Sequence, residues 1–147
     1  MPQRGSRKIL VIAVVLAVGL AFLGAWTWLK RQHPAHEQIQ LAESFVSLLR
    51  SQRVAEAYEL TMKSGMELPT DEDFAVFAPR QICGTFERTD IFPFQSNGSR
   101  LRRWVIGREV EMPELNVQYM GDCAFRVTIR RDTEYKLKVY KFGSHAH

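Results

Sequence analysis

An uninterrupted apolar run near the amino terminus constrains this chain more than any other feature. Residues 9–29, ILVIAVVLAVGLAFLGAWTWL, contain no charged side chain. As a helix rising 1.5 Å per residue, the run would be about 31 Å long, close to the roughly 30 Å hydrocarbon core of a bilayer. A secretory signal has a shorter apolar core of about 7–15 residues. The run therefore predicts a retained transmembrane helix, with cleavage after Ala21 as the alternative.

Basic residues on the two sides of this run indicate its orientation. Arg4, Arg7 and Lys8 precede it together with the amino terminus, and Lys30 and Arg31 follow it. Positive side chains favour the cytoplasmic side of a membrane. We therefore expect a single-pass protein of the bacterial inner membrane, with its amino terminus in the cytoplasm and its carboxy-terminal domain in the periplasm. The expected segments are a cytoplasmic tail at 1–8, the span at 9–29, a linker at 30–36, an α+β domain at 37–143 and a flexible tail at 144–147.

Small residues recur at helical spacing within the predicted span. Residues four apart lie on one face of a helix, and small side chains there allow a second helix to approach closely. The pattern predicts a helix-packing face made of Ala13, Ala17, Ala21, Gly24 and Ala25.

Apolar periodicity changes once along the rest of the chain. Spacings of three and four predict helices at 36–50, 54–62 and 70–80, with Thr70 capping the amide of Asp73. Beyond Gly84 the period becomes two, which predicts strands. The predicted strands lie at 85–94, 101–112, 114–120, 123–130 and 134–142, with Asn97–Gly98 as a turn between the first two.

Three helices followed by an antiparallel meander indicate an α+β fold, because the helices are the available cover for the apolar face of the sheet. We expect these helices to pack on a curved sheet of four to five strands. The predicted core contains Phe45, Leu49, Tyr58, Trp104, Val117, Phe125, Val127 and Leu137.

Two segments carry a resemblance to a known superfamily. The opening AESFVSLLRSQRVAEAYELT and the closing YKLKVYKFGS resemble the helix–turn–helix entry and the final strand of the nuclear-transport-factor-2-like (cystatin-like) superfamily. The resemblance covers residues 37–143 and implies a cone in which a long helix packs against a curved sheet. Inner-membrane components of type IV secretion systems combine one span with such a domain, so the resemblance allows a similar assembly role by analogy, and an accessory subunit of a respiratory or other inner-membrane complex fits equally well. The basic strand RLRRW departs from larger members of the superfamily.

Two cysteines, Cys83 and Cys123, stand 40 positions apart. A periplasmic location permits a disulfide between them, and two buried thiols are the alternative. This spacing is not that of a redox motif or a zinc site.

No set of residues in the sequence forms a recognisable catalytic signature. None of the four histidines lies within the predicted domain at 37–143; they are His33, His36, His145 and His147. A general base would therefore have to be a carboxylate whose pKa is shifted by burial, for which the candidates are Glu87, Asp90, Glu109 and Glu111. Arginines stand near each of them, so solvated ion pairs explain them more simply. The sequence therefore predicts neither a catalytic residue nor a metal or cofactor site.

The net charge of +4 includes three basic residues ahead of the apolar run. It is too small for a dedicated nucleic-acid-binding protein. The predicted sheet places basic side chains on what should be its outer face. Such a face suits anionic lipid or an acidic protein partner, and an ordinary solvated surface is the alternative. This basic contact face comprises Arg100, Arg102, Arg103, Arg126, Arg130, Lys136 and Lys138.

These features predict a non-enzymatic accessory subunit of an inner-membrane complex. A periplasmic module that binds a small ligand or a lipid is the first alternative, and a small hydrolase or isomerase is the second. The binding alternative requires a pocket in the cone, lined by Phe45, Tyr58, Trp104 and Phe125.

Overall fold

The structure is a computed structural model, and it describes residues 3–64 and 70–145. The chain divides into two compact units. Unit 1 comprises residues 1–33 and 95–111, and unit 2 comprises residues 34–94 and 112–147. The segment 95–111, which the sequence analysis assigns to the α+β domain, thus groups with the amino-terminal helix.

Unit 1 contains two helices. The long helix α1 (Gln3–Lys30) includes the whole apolar run. The short helix α5 (Asn97–Val105) begins at a capping box, in which the Ser96 side chain accepts a hydrogen bond from the Ser99 amide and the Ser99 hydroxyl accepts one from the Ser96 amide. Residues 101–112 were expected to form a strand, and this prediction is wrong: residues 101–105 lie in α5 and residues 106–112 form turns and irregular chain before β2.

Three further helices belong to unit 2: α2 (His36–Arg50), α3 (Val54–Glu59) and α4 (Asp71–Gln81). The apolar stripe predicted for α2 is buried, and Phe45 and Leu49 are two of its members. The cap predicted for α4 is confirmed, since the Thr70 hydroxyl accepts a hydrogen bond of 3.1 Å from the Asp73 amide. Helix α3 is shorter than predicted and ends at Glu59.

The sheet of unit 2 has four antiparallel strands in the order β1-β2-β3-β4. These strands are β1 (Phe86–Phe92), β2 (Glu114–Gly121), β3 (Ala124–Arg131) and β4 (Leu137–His145). The predicted alternation is confirmed on β2, where Leu115, Val117 and Tyr119 are buried and their neighbours are partly exposed. The α+β class and an antiparallel sheet of four strands therefore agree with the sequence prediction.

Aromatic rings fill the space between the helices and the sheet. The ring of Phe142 on β4 lies 5.0 Å from that of Phe45, 5.5 Å from that of Phe74 and 5.7 Å from that of Phe77. On the sheet, the Phe125 ring stacks on the Phe86 ring at 5.3 Å. Burial of one such side chain contributes about 1.5–3 kcal/mol to folding. This cluster therefore joins α2 and α4 to the sheet.

A disulfide bond joins Cys83 to Cys123, whose Cα atoms are 6.0 Å apart. Beside it, Asp122 in the turn between β2 and β3 accepts a hydrogen bond of 2.7 Å from the Thr85 amide. The segment between α4 and β1 is thus fastened to this turn by a covalent and a polar link.

The predicted core is confirmed at five positions, Phe45, Leu49, Val117, Phe125 and Val127, all of which are buried. Tyr58 and Leu137 are partly buried. The prediction is wrong for Trp104, which lies on α5 and is 67% exposed. The error follows from the expected strand, because alternation along 101–112 placed Trp104 on the inner face of the sheet.

Candidate functional site

Helix α1 has an apolar surface that no described residue covers. The stretch Lys8–Lys30 is long and apolar enough to cross a membrane, and none of its most apolar window is buried. Among residues 3–64 and 70–145 it is the one helix with these properties. The proposed packing face lies on this exposed surface, and it comprises Ala13, Ala17, Ala21, Gly24 and Ala25.

The carboxy-terminal end of α1 is bonded to the start of α5. The Asn97 side chain donates a hydrogen bond of 3.0 Å to the carbonyl of Trp28, and the Asn97 amide donates one of 2.9 Å to the carbonyl of Arg31. Gly98 permits this approach, because a Cβ atom there would lie 3.1 Å from the carbonyl oxygen of Leu29. The His33 amide also donates to the carbonyl of Gln95, at 2.7 Å. This junction belongs entirely to unit 1.

The chain that follows α5 folds back against the helix. An ion pair of 2.5 Å joins Arg100 to Glu111, and Arg103 donates a hydrogen bond of 2.5 Å to the carbonyl of Glu109. The Gln95 side chain, which is almost fully buried, donates to the carbonyl of Val110 at 2.5 Å. Helix α5 is therefore held at its start by α1 and on one side by residues 109–111.

Another side of α5 is apolar and exposed. Leu101, Trp104 and Val105 follow the i, i+3, i+4 spacing of one helix face, and Ile106 follows at the carboxy-terminal end. Their exposed fractions run from 42% for Leu101 to 68% for Val105. We call these four residues the apolar edge of α5. Sequence reasoning missed this edge because Asn97–Gly98 was interpreted as a hairpin turn. The signal that could have found it is the serine pair at 96 and 99 ahead of that helical spacing.

The structure divides the predicted basic contact face between the two units. Arg100, Arg102 and Arg103 lie on α5, and the other four residues belong to unit 2. Arg126 stands over the Phe92 ring at 5.1 Å, and Arg130 pairs with Glu114 at 3.1 Å.

The two lysines of this predicted face also have partners. Lys136 precedes β4 and pairs with Glu134, and Lys138 donates to the carbonyl of Glu59 at the end of α3. Of the four basic residues of this face in unit 2, Arg130 and Lys136 therefore pair with carboxylates, whereas Arg126 and Lys138 contact uncharged groups.

The predicted pocket residues do not line one common space. Phe45 and Phe125 have no accessible surface, so no space large enough for a water molecule touches either side chain. Tyr58 is partly buried against the Phe74 ring at 5.2 Å, and Trp104 belongs to the other unit. An open hollow of about 380 Å³ does occur on unit 2, lined by polar and charged side chains that include Glu59, Lys63, Asp132 and Lys136.

The carboxylates considered as general bases have ordinary surroundings. Glu87, Asp90 and Glu109 are exposed, and Glu111 is paired with Arg100. Within residues 3–64 and 70–145, no three His, Cys, Asp or Glu side chains are grouped as metal ligands would be. His147 of the terminal H-x-H lies outside the described residues.

One buried polar group in unit 2 has no hydrogen-bond partner among the described residues, namely the hydroxyl of Tyr119. Burial, and to a smaller extent the nearby carboxylate of Glu43, raises the pKa of Tyr119 to about 12. This side chain is 4% exposed and packs its ring against Phe86 and Phe125. Burial of this hydroxyl without a hydrogen-bond partner therefore lowers the stability of unit 2.

Comparisons of the chain with models of protein families, with curated proteins and with solved structures gave no match. The resemblance to the cystatin-like superfamily therefore stays a prediction that rests on the residues quoted for it.

Proposed function

We propose that this protein is a non-enzymatic accessory or assembly subunit, anchored by α1 in the inner membrane of a bacterium. The observation that carries the proposal is the uncovered apolar surface of α1. Apolar surface of this extent is not stable in water, and it is stable in a bilayer or against other membrane helices. The charge difference across the span supports a periplasmic location for unit 2.

The small-residue face of α1 supports contact with a helix of another subunit. Gly24, for example, has no neighbouring atom within 4 Å of the position that a Cβ atom would occupy. Small side chains let helix backbones approach closely, and this increases the van der Waals contact that drives association in a bilayer. We therefore assign partner binding to this face.

The filled interior of unit 2 favours assembly over ligand binding. A binding module needs a hollow of a few hundred Å³ with apolar walls, and both Phe45 and Phe125 are fully enclosed by their neighbours. The cone-like curvature that we propose for the sheet is supported by irregularities in register near Arg88 and Thr128. Such bulges bend a strand and increase its twist.

Recovery of partners in mild detergent tests the assembly role. Ala17→Leu and Ala21→Leu would separate packed backbones while raising the hydropathy of α1, so we expect anchoring to persist and partner recovery to fall. Val15→Leu, off that face, is the matched control. Equal recovery for all three variants would remove α1 as the assembly surface.

Reporter fusions test the proposed topology. A reporter that is active only in the periplasm, fused after His147, should be active, and one that is active only in the cytoplasm should be silent. The opposite pattern would place unit 2 in the cytoplasm and overturn the proposed location.

A further inference from the structure

We propose that α5 is an interfacial helix: it lies in the membrane–water interface of the bilayer that α1 crosses and binds anionic phospholipid there. This inference rests on the proposed anchoring of α1. It assigns a specific occupant to the apolar edge of α5 (Leu101, Trp104, Val105 and Ile106), namely the headgroup and upper acyl region of the same bilayer.

The junction with α1 sets the depth of α5. Asn97 is bonded to the carbonyls of Trp28 and Arg31, which belong to the last turn of the apolar helix and to the residue after it. Trp28 is exposed and stands where an indole ring suits the headgroup level. Helix α5 has nine residues and is about 14 Å long, so it remains close to the end of the span. The polar layer of a bilayer is itself about 5–8 Å thick on each side.

The direction of the apolar edge follows from the atoms that α5 contacts. The carbonyls at the carboxy-terminal end of a helix point along its axis, away from the helix body. Asn97 and Gly98 meet the carbonyls of Trp28 and Leu29, so they lie beyond the end of α1, and their side of α5 is directed back toward the membrane. At about 100° per residue, Leu101, Trp104 and Val105 lie on that same side.

The side of α5 that borders this apolar edge is already occupied. Arg100 and Arg103 hold the returning segment 109–111 there through Glu109 and Glu111. The helix therefore has a polar side covered by its own chain and an apolar side that is open. This division is typical of helices that lie in the plane of a membrane interface.

Charge at the junction suits anionic headgroups. Lys30, Arg31, Arg102 and Arg108 are all exposed around the end of α1 and along α5. Basic residues near a membrane surface attract anionic lipid by about 1 kcal/mol each. Their position beside an apolar edge favours a lipid surface over an acidic protein, because a bilayer accepts both the apolar side chains and the cations.

The fluorescence of Trp104 in the full chain tests this proposal. The variant Trp26→Phe/Trp28→Phe leaves Trp104 as its one tryptophan. It is reconstituted into phosphatidylcholine vesicles with and without phosphatidylglycerol, containing phosphatidylcholine brominated at shallow or deep acyl positions. We expect quenching of Trp104 by the shallow bromines, a blue shift of its emission and a larger effect with phosphatidylglycerol.

Two further variants on this background examine the apolar edge. Leu101→Glu/Val105→Glu should abolish the quenching and restore access of acrylamide to Trp104. Val76→Glu is the matched control, because Val76 is 58% exposed on α4 in unit 2. It should leave the quenching unchanged.

Two results would overturn the proposal. Trp104 that is quenched by acrylamide and not by brominated lipid would show that α5 stands in water. Trp104 that is shielded from both quenchers would show that protein, either a second copy or another part of the chain, covers the edge. A separate variant, Trp28→Phe/Trp104→Phe, reports on the anchor through Trp26. Failure of brominated lipid to quench Trp26 would overturn the proposed span itself.

Discussion

The side-chain amide of Asn97 donates a hydrogen bond of 3.0 Å to the main-chain carbonyl of Trp28, 69 positions earlier in the chain. The last carbonyls of a helix have no i+4 amide inside it, and the Trp28 carbonyl accepts hydrogen bonds from the Arg31 amide, at 3.2 Å, and from the Asn97 side chain. The bond also connects the only unit 1 segment beyond residue 33 to the apolar helix. Together with the bonds from the Asn97 amide to Arg31 and from the His33 amide to Gln95, it gives α5 a defined place relative to α1.

Removal of the donor at Asn97 should loosen α5. In Asn97→Asp, a carboxylate replaces the side-chain amide that donates to the Trp28 carbonyl, so this hydrogen bond is lost. The helix itself is still favoured, because an acidic residue in the first turn interacts well with the helix dipole. Loss of the bond costs about 1 kcal/mol, a factor of about five in the opening equilibrium. We expect faster trypsin cleavage after Arg102 and Arg103 in detergent-solubilised protein. The matched control is Asn116→Asp, the same substitution on β2. It keeps the side-chain oxygen that accepts a hydrogen bond from the Thr128 hydroxyl. Equal cleavage rates in the two variants would contradict the role given to Asn97.

The disulfide should contribute measurably to the stability of unit 2. Its two cysteines are 40 positions apart, and a loop of this size loses about 4 kcal/mol of unfolded-state entropy on closure. We expect Cys83→Ser/Cys123→Ser to lower the free energy of unfolding by about 2–4 kcal/mol, measured by urea titration in detergent. Reduction of the unchanged protein should produce a similar loss. The double variant has no disulfide, so a reductant should not change its free energy of unfolding. A further loss of stability on adding reductant would show that the reductant acts on something other than this disulfide.

Phe125 should be one of the most sensitive positions in the core. Its side chain has no exposed surface and touches the rings of Phe86, Tyr119 and Phe142. Phe125→Ala should therefore cost about 3–5 kcal/mol in unfolding free energy. Val76→Ala, at an exposed position, should change stability by less than about 0.5 kcal/mol. A loss below about 1 kcal/mol for Phe125→Ala would indicate that β3 presents its other face to the helices.

Tyr119 offers a substitution that should stabilise the protein. Its buried hydroxyl has no hydrogen-bond partner among the described residues, and an unsatisfied buried polar group costs about 1–3 kcal/mol. Tyr119→Phe removes the hydroxyl and keeps the ring contacts with Phe86 and Phe125. We expect the free energy of unfolding to rise by about 1 kcal/mol in urea titration. A lower stability for this variant would imply that the hydroxyl has a polar partner after all.

The same residue predicts a change in stability at alkaline pH. The pKa of Tyr119 is raised to about 12 by burial, against about 10 in an unfolded chain. Between these values the unfolded state releases its proton while the folded state keeps it, so folding stability decreases as the pH rises from about 10 toward 12. The decrease should be smaller in Tyr119→Phe, which has no proton to release at this position. Parallel stability curves for the two proteins over this range would contradict the raised pKa.

Local spacing determined much of this fold from the sequence alone. The apolar run, the cap at Thr70 and the alternation on β2 depend on neighbours within one element, and each was predictable without knowledge of distant residues. The segment 95–111 was different, because Asn97–Gly98 followed by alternating apolar residues is compatible with a hairpin as well as with a helix start. Tertiary contacts decided it: Asn97 meets Trp28 across 69 positions, and Arg100 pairs with Glu111. The exposure of Trp104 and the approach of Cys83 to Cys123 were likewise decided only in three dimensions, since the spacing of residues along a chain does not specify distances between elements.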